Sequence, residues 1–180
     1  RSANIFFELT RKAKENNLLV AANPGINQFK VNVEEFKKAL VNIDILTLNN
    51  SEAEELFGLL NTQSYSVENY FKEISKCGPK IIAVTDGANG VYAFQNNIIY
   101  FHASIKTEKL VNTLGAGDAF GSCFVASILS GKSIEEALIA GILNSSSVIS
   151  KEGAKSGLLT SEQLEKKMKN VKIELVKTKI

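Results

Sequence analysis

Residues 111–120, VNTLGAGDAF, place two glycines around an alanine, follow them directly with Asp118 and lead into a helix-forming stretch. A loop of small residues at a helix N-terminus presents unpaired backbone N–H groups. The helix dipole adds to their field, so an anion or a developing negative charge is stabilised there. Gly115, Ala116 and Gly117 leave room for such an anion to reach the backbone. Asp118 fits two roles: a carboxylate that complements the helix N-terminus, or a general base that takes the proton of an attacking hydroxyl. A P-loop is excluded, because no Gly-Lys-Ser or Gly-Lys-Thr follows the glycines. A dinucleotide-binding dehydrogenase has little support: Phe120 stands where the third glycine belongs, and no strand directly precedes the loop.

Upstream, Ile5, Phe6, Leu9 and Ala13 recur at helical spacing until Asn16 and Asn17, and LLVAA at 18–22 then predicts a buried strand. NPGINQ at 23–28 predicts a loop, Val33 to Val41 a short helix and DILTL at 44–48 a second strand. Ser51 with Glu54 predicts a capping box for a helix to about Leu60. A helix from Val67 to Ser75 and a third strand, IIAVT at 81–85, complete an alternation that signals a parallel sheet. GVYAF at 90–94 and IIYFH at 98–102, joined by Gln95, Asn96 and Asn97, then predict an edge hairpin. Helices follow at Ala119 to Leu129 and at Ile134 to Ile149, the latter opened by a Ser133–Glu136 capping box. Thr160 with Gln163 opens a last, charged helix.

The 180 residues, without repeats or linker composition, suit one α/β domain over 1–180. The 21 basic and 19 acidic residues give a net charge of +2 with no basic face of the kind nucleic acid requires. The lysine-rich end, Lys166 to Lys179, reads as a solvated helix face. No apolar run is long enough to span a bilayer, and Cys77 and Cys123 suggest neither a disulfide framework nor a zinc site. A reducing, cytoplasmic setting is the expectation. A start inside a helix, without methionine, reads as a fragment or processed piece.

VNTLGAGDAFGSCF resembles the D-T-x-G-A-G-D signature of the ribokinase, or PfkB, family of carbohydrate and nucleoside kinases. Three further blocks occur in the family's order: NNSEAEELFG at 49–58 resembles its N-x-x-E segment, VTDGANGVYAF at 84–94 its T-x-G strand and turn, and LNSSSVISKEGAKSG at 143–157 its adenine-side helix and loop. The likeness is to the C-terminal part of the family's domain. It implies a ribokinase-like three-layer α/β/α sandwich with a mostly parallel sheet and an antiparallel edge hairpin. The family's N-terminal part, with its β lid and most of the acceptor pocket, has no counterpart here. Family dimers often form through that lid, so a homodimer is implied for a complete protein only.

The resemblance further implies an ATP-dependent phosphotransferase acting on a sugar or nucleoside hydroxyl. Asp118 is the implied base and Gly115, Ala116 and Gly117 the anion hole. Asn49 and Glu52 are implied to organise Mg²⁺ and its waters, with a helix-capping carboxylate as the other role open to Glu52. Thr85 and Gly87 would contact nucleotide phosphates or ribose. Asn144, Gly153 and Ala154 would line the adenine pocket, although an asparagine beside three serines also suits a polar seam between helices. Asn112 stands where relatives carry an aspartate that helps hold a monovalent cation, and Leu114 and Cys123 also depart from the usual residues. His102 is expected as a surface or packing residue. Two alternatives stay open: a non-catalytic nucleotide-binding module descended from such a kinase, and a pyridoxal-type vitamin kinase on the same fold.

Overall fold

The computed structural model describes residues 2–60, 64–105, 110–171 and 174–180. In chain order the elements are α1 (Ser2–Glu15), β1 (Ala21–Ala22), α2 (Ile26–Val31), α3 (Val33–Leu40), β2 (Ile45–Asn49), α4 (Asn50–Leu60), α5 (Val67–Lys76), β3 (Ile81–Thr85), β4 (Val91–Gln95), β5 (Ile98–His102), α6 (Ala116–Leu129), α7 (Ile134–Ile149), α8 (Ser161–Met168) and β6 (Leu175–Lys179). The strands form one open sheet in the order β1-β2-β3-β4-β5-β6. β1, β2 and β3 are parallel, with Ala21 opposite Ile45 and Ile45 opposite Ile81. Asn96 and Asn97 have φ of 53° and 61°, the pair of positive values that a two-residue type I′ turn requires, so β4 and β5 form an antiparallel hairpin. The α/β class and mixed sheet agree with the sequence.

The chain divides into two compact units. The first comprises Arg1–Thr85, Ala93–Ile99 and Thr178–Ile180. Its strands β2 and β3 are nearly continuous apolar runs, and Ile45, Leu46, Leu48, Ile82, Ala83 and Val84 are all buried, as parallel strands covered by helices require. Aromatic side chains fill the space around them. Phe29 meets Phe36 edge-on at 5.4 Å, and Phe71 stacks on Phe94 at 5.5 Å. The Asp44 carboxylate takes hydrogen bonds from Lys14 Nζ at 2.5 and 2.6 Å and from the Val20 N–H at 2.9 Å, tying the last turn of α1 to the start of β2. Burial alone would raise its pKa; the Lys14 and Val20 hydrogen bonds outweigh that and hold it below the ordinary value.

Several boundaries differ from the sequence expectations. The strand predicted at 18–22 is confined to Ala21–Ala22, and Leu18 and Leu19 are 59% and 50% exposed. The Leu18 N–H donates back to the Ala13 carbonyl through Asn17 in a left-handed conformation, which keeps residue 18 tied to the helix end. The loop expected at 23–28 already contains the start of α2, because burying Phe29 against Phe36 rewards a helical turn. β2 runs on to Asn49, so α4 is capped by Asn49 with Glu52 rather than by Ser51 with Glu54. The lysine-rich end is a helix only to Met168 and returns as strand β6.

The second unit comprises Asp86–Tyr92 and Tyr100–Lys177. It is built on α6 and α7. A Cβ at Gly141 would lie 2.7 Å from the Phe120 ring, so a glycine is what lets the two helices approach this closely. Phe120 in turn stacks on Phe124 at 5.5 Å. The predicted capping boxes Ser133–Glu136 and Thr160–Gln163 are both closed. Lys177 of β6 pairs with Glu135 in the first turn of α7 at 2.5 Å and sits 5.4 Å from the Tyr100 ring centroid, which explains why a lysine-rich segment can hold a strand here.

Among the described residues no group hydrogen-bonds the buried Tyr70 hydroxyl of the first unit. Burial first, then the charges of Tyr65 and Glu52, push its phenol well above the ordinary range. Tyr70→Phe is therefore expected to raise the free energy of unfolding, by about 1 kcal/mol. Urea denaturation checks this, and a loss of stability would show that the hydroxyl has a partner.

Candidate active site

The glycine loop belongs to the second unit. Gly115 has φ 78° and ψ 1°, the values that a type II turn places at its third residue, and the Ala116 N–H closes that turn on the Thr113 carbonyl at 3.2 Å. A Cβ at Gly115 would lie 2.8 Å from Ala154 Cβ and 2.9 Å from the Ala154 carbonyl oxygen. Both left-handed backbone and close approach thus demand glycine at 115. The turn delivers the chain into α6 three residues earlier than the sequence suggested, so Asp118 is the third helical residue. Ala116 has its N–H already engaged in the turn, whereas no partner is recorded for the amides of Gly117 and Asp118 among the described residues. A Cβ at Gly117 would meet nothing within 4 Å, so open space lies in front of it. The Asp118 side chain is exposed, and among the described residues no group bonds its carboxylate.

The loop after α7 is held against this turn. Ala154 packs on Gly115, beside Gly153 with φ 81°. Val111 and Asn112 donate their N–H groups to the Ile149 carbonyl at 2.9 and 3.4 Å. The Asn112 Oδ1 accepts from the Leu114 N–H at 3.0 Å, and its Nδ2 donates to the Lys151 carbonyl at 3.4 Å. Gly115, Gly153, Ala154 and Asn112 therefore do come together. Asn144 serves differently: it is 5% exposed, its Nδ2 donates to the Ala119 carbonyl and its Oδ1 accepts from the Leu159 N–H, both at 2.9 Å. It is the polar seam joining α6, α7 and the segment leading to α8.

In the first unit, Asn49 and Thr85 are register partners at the carboxyl ends of β2 and β3, where open parallel sheets commonly place ligand-binding groups. Asn49 and Glu52 close a reciprocal box: the Glu52 N–H donates to Asn49 Oδ1 and the Asn49 N–H to Glu52 Oε2, each at 2.9 Å. Of the two roles weighed for Glu52, the geometry shows the helix cap, made through Oε2, with Oε1 outside the box. The N-x-x-E spacing was itself the sign of this cap, because asparagine is a strong N-cap and glutamate three residues on completes the box. Among the described residues no three His, Cys, Asp or Glu side chains gather as a metal cluster. A magnesium ion that keeps most of its waters does not need one.

Gly87 lies in the second unit, in an exposed turn with φ 51°, closed by the Asp86 N–H on the Gly90 carbonyl at 2.8 Å. His102 is buried with Nδ1 2.6 Å from the Ala103 carbonyl, which suits the packing role expected of it. Burial pushes the Cys123 thiol up, away from the thiolate form. Sequence gave no warning of the Lys151 carbonyl or of the Thr113 carbonyl, since main-chain acceptors carry no residue signature. Among the described residues no helix is long and apolar enough to cross a membrane.

Because both ends of the Asn144 amide are used inside the protein, its removal leaves the Leu159 N–H without its acceptor and takes from the Ala119 carbonyl the bond that crosses between the helices. Asn144→Ala is expected to cost about 1–3 kcal/mol of stability. Chemical denaturation measures it, and a loss below about 0.5 kcal/mol, the range of ordinary surface substitutions, would show that the seam is dispensable.

The family described as pfkB family carbohydrate kinase matches residues 2–161. A 5-dehydro-2-deoxygluconokinase of Bacillus subtilis is 34% identical over 85 residues, which cover 47% of this chain and 26% of the relative. The ribokinase of Thermotoga maritima superposes with a TM-score of 0.78 at 28% identity, over 90% of this chain and 52% of that one. An Escherichia coli protein described as a candidate ribokinase II, solved in complex with ATP and Mg²⁺, has the same fold, with a TM-score of 0.78 at 20% identity over 90% of this chain and 52% of its own. The chain thus spans about half the length of these solved relatives. It has the ribokinase fold and belongs to the pfkB family of carbohydrate kinases.

Proposed function

We propose that residues 1–180 act as one C-terminal nucleotide-binding and catalytic portion of an ATP-dependent phosphotransferase, which moves the γ-phosphate of ATP to a hydroxyl of a sugar or nucleoside. The observation that carries this reading is Asp118: an exposed carboxylate, unbonded among the described residues, in the first turn of a helix beside a Gly117 that has open space in front of its α-carbon. A carboxylate needed only for the fold would be expected to bond the amides it sits beside.

Asp118 accepts the proton of the acceptor hydroxyl as its oxygen bonds to the γ-phosphorus, the bond to the β–γ bridging oxygen breaks and ADP departs. Such a transfer depends on an aligned nucleophile and on stabilisation of charge on the equatorial oxygens. The amides of the Gly115–Gly117 loop supply that stabilisation, reinforced by the α6 dipole; Gly117, with no backbone partner recorded, is the most available of them. Gly153 and Ala154, packed beside Gly115, border the nucleotide, and Asn144 fixes the helix forming the adenine-side wall. Thr85 and Gly87 contact phosphate or ribose. The ATP and Mg²⁺ bound by the E. coli relative support the choice of nucleotide and ion. Magnesium, when bound, neutralises phosphate charge; Glu52 Oε1 and the second lone pair of Asn49 Oδ1 are the acceptors that would hold its waters.

Acceptor-dependent ADP release by the full-length polypeptide, across sugars, nucleosides and pyridoxal, tests the reading. Turnover with a sugar or nucleoside is expected, and Asp118→Asn is expected to lower it ~10²- to 10⁴-fold with nucleotide affinity kept. Near-normal turnover in the variant would remove Asp118 from the reaction. Binding of Mg·ATP without turnover on any acceptor would make the chain a nucleotide-binding module instead.

A further inference from the structure

The family resemblance implies a monovalent cation beside the glycine loop, and the residues present do not fit one. The Leu114 N–H can only donate, so the Asn112 atom 3.0 Å from it must be the carbonyl oxygen. The orientation of the amide is thereby fixed, and the NH₂ is what faces the Lys151 carbonyl at 3.4 Å. A cation held there would need that carbonyl and a side-chain oxygen to converge on it. Here the single oxygen of Asn112 is committed to Leu114, and a partial positive charge points at the Lys151 oxygen. The neighbouring Ile149 carbonyl already accepts from the N–H groups of Val111 and Asn112.

We infer that in this chain the Asn112 amide takes the place of the cation, stapling the glycine loop to the loop after α7, so that the site is held together without a monovalent ion. An aspartate at 112 would keep the bond to Leu114 with one oxygen and set the other, negatively charged, against the Lys151 carbonyl. Two acceptors at such a distance need a cation or a proton between them. Asparagine supplies the donor from within the side chain and removes that need. The staple also spans the contact of Gly115 with Ala154, so it clamps the two segments that shape the nucleotide side of the site. The inference deepens the proposed nucleotide site, but its principal readout, thermal stability, does not depend on turnover.

The test compares the full-length polypeptide and Asn112→Asp in potassium, sodium and tetramethylammonium chloride at equal ionic strength, reading melting temperature and the Mg·ATP dissociation constant. The native protein is expected to melt within about 1 °C in all three salts and to bind Mg·ATP with constants within about twofold of each other. Asn112→Asp is expected to melt roughly 2–4 °C lower in tetramethylammonium and to recover in potassium. Asn112→Ala, with neither donor nor carboxylate, is expected to melt lower in every salt, and it stands in for the aspartate variant if that one does not fold. Potassium-dependent melting or binding of the native protein would overturn the inference, as would an Asn112→Asp protein indifferent to the cation. Salt-independent melting with no Mg·ATP binding in any salt would overturn the nucleotide reading and leave the staple standing.

Discussion

At Gly115 the backbone turns left-handed at φ 78° while lying against Ala154, at a distance no side chain could occupy. Two consequences follow from that single residue. The chain enters α6 with the amides of Gly117 and Asp118 unbonded among the described residues, and the loop after α7 is pinned beside this turn. A β-carbon there would oppose both: left-handed backbone costs a non-glycine residue on the order of 1–3 kcal/mol, and the clash would push the two segments apart. The exposed edge of the second unit is thus shaped by a contact in which no polar side chain takes part.

That contact is stable only because the helices behind it are fixed. Gly141 admits the Phe120 ring, Phe120 stacks on Phe124, and Asn144 crosses from α7 to the Ala119 carbonyl of α6. The asparagine sits beneath the first turn of α6, one residue past Asp118. Interiors packed at this density transmit displacements rather than absorb them. The buried seam therefore sets how firmly the first turn of α6, with its exposed carboxylate, is held.

Much of this was legible in the sequence, for local reasons. The boxes Ser133–Glu136 and Thr160–Gln163, the strand IIAVT and the Asn96–Asn97 turn depend on residues within a few positions of each other. Where the outcome depended on distant partners the sequence misled. α2 forms inside NPGINQ because Phe29 is buried against Phe36, and β6 forms in a lysine-rich end because Lys177 finds Glu135 some forty residues earlier in the chain. The cap on α4 was misplaced for a different reason. Ser51–Glu54 and Asn49–Glu52 are both well-formed boxes, and only the extra residue of β2 decides between them. In the candidate site the residue types were visible, but which of their atoms are already in use was not.

That last distinction separates scaffold from ligand-facing groups. Asn144 and Asn112 have both ends of their amides bonded within the protein, and the Ala116 N–H closes a turn. A polar atom so occupied gains little by meeting a ligand, since it exchanges one hydrogen bond for another and disturbs the fold in doing so. Asn49 and Glu52 are half occupied: one oxygen of each holds the cap, which orients the remaining amide and carboxylate oxygen without using them. The Asp118 carboxylate and the Gly117 amide carry no bond among the described residues. Groups left unbonded beside groups so fully bonded are poorly explained by folding alone, because an exposed carboxylate and an open amide in the same helical turn would stabilise the helix more by joining to each other or to a cap. Their availability is the physical reason to place chemistry at the N-terminus of α6 rather than at the seam beneath it.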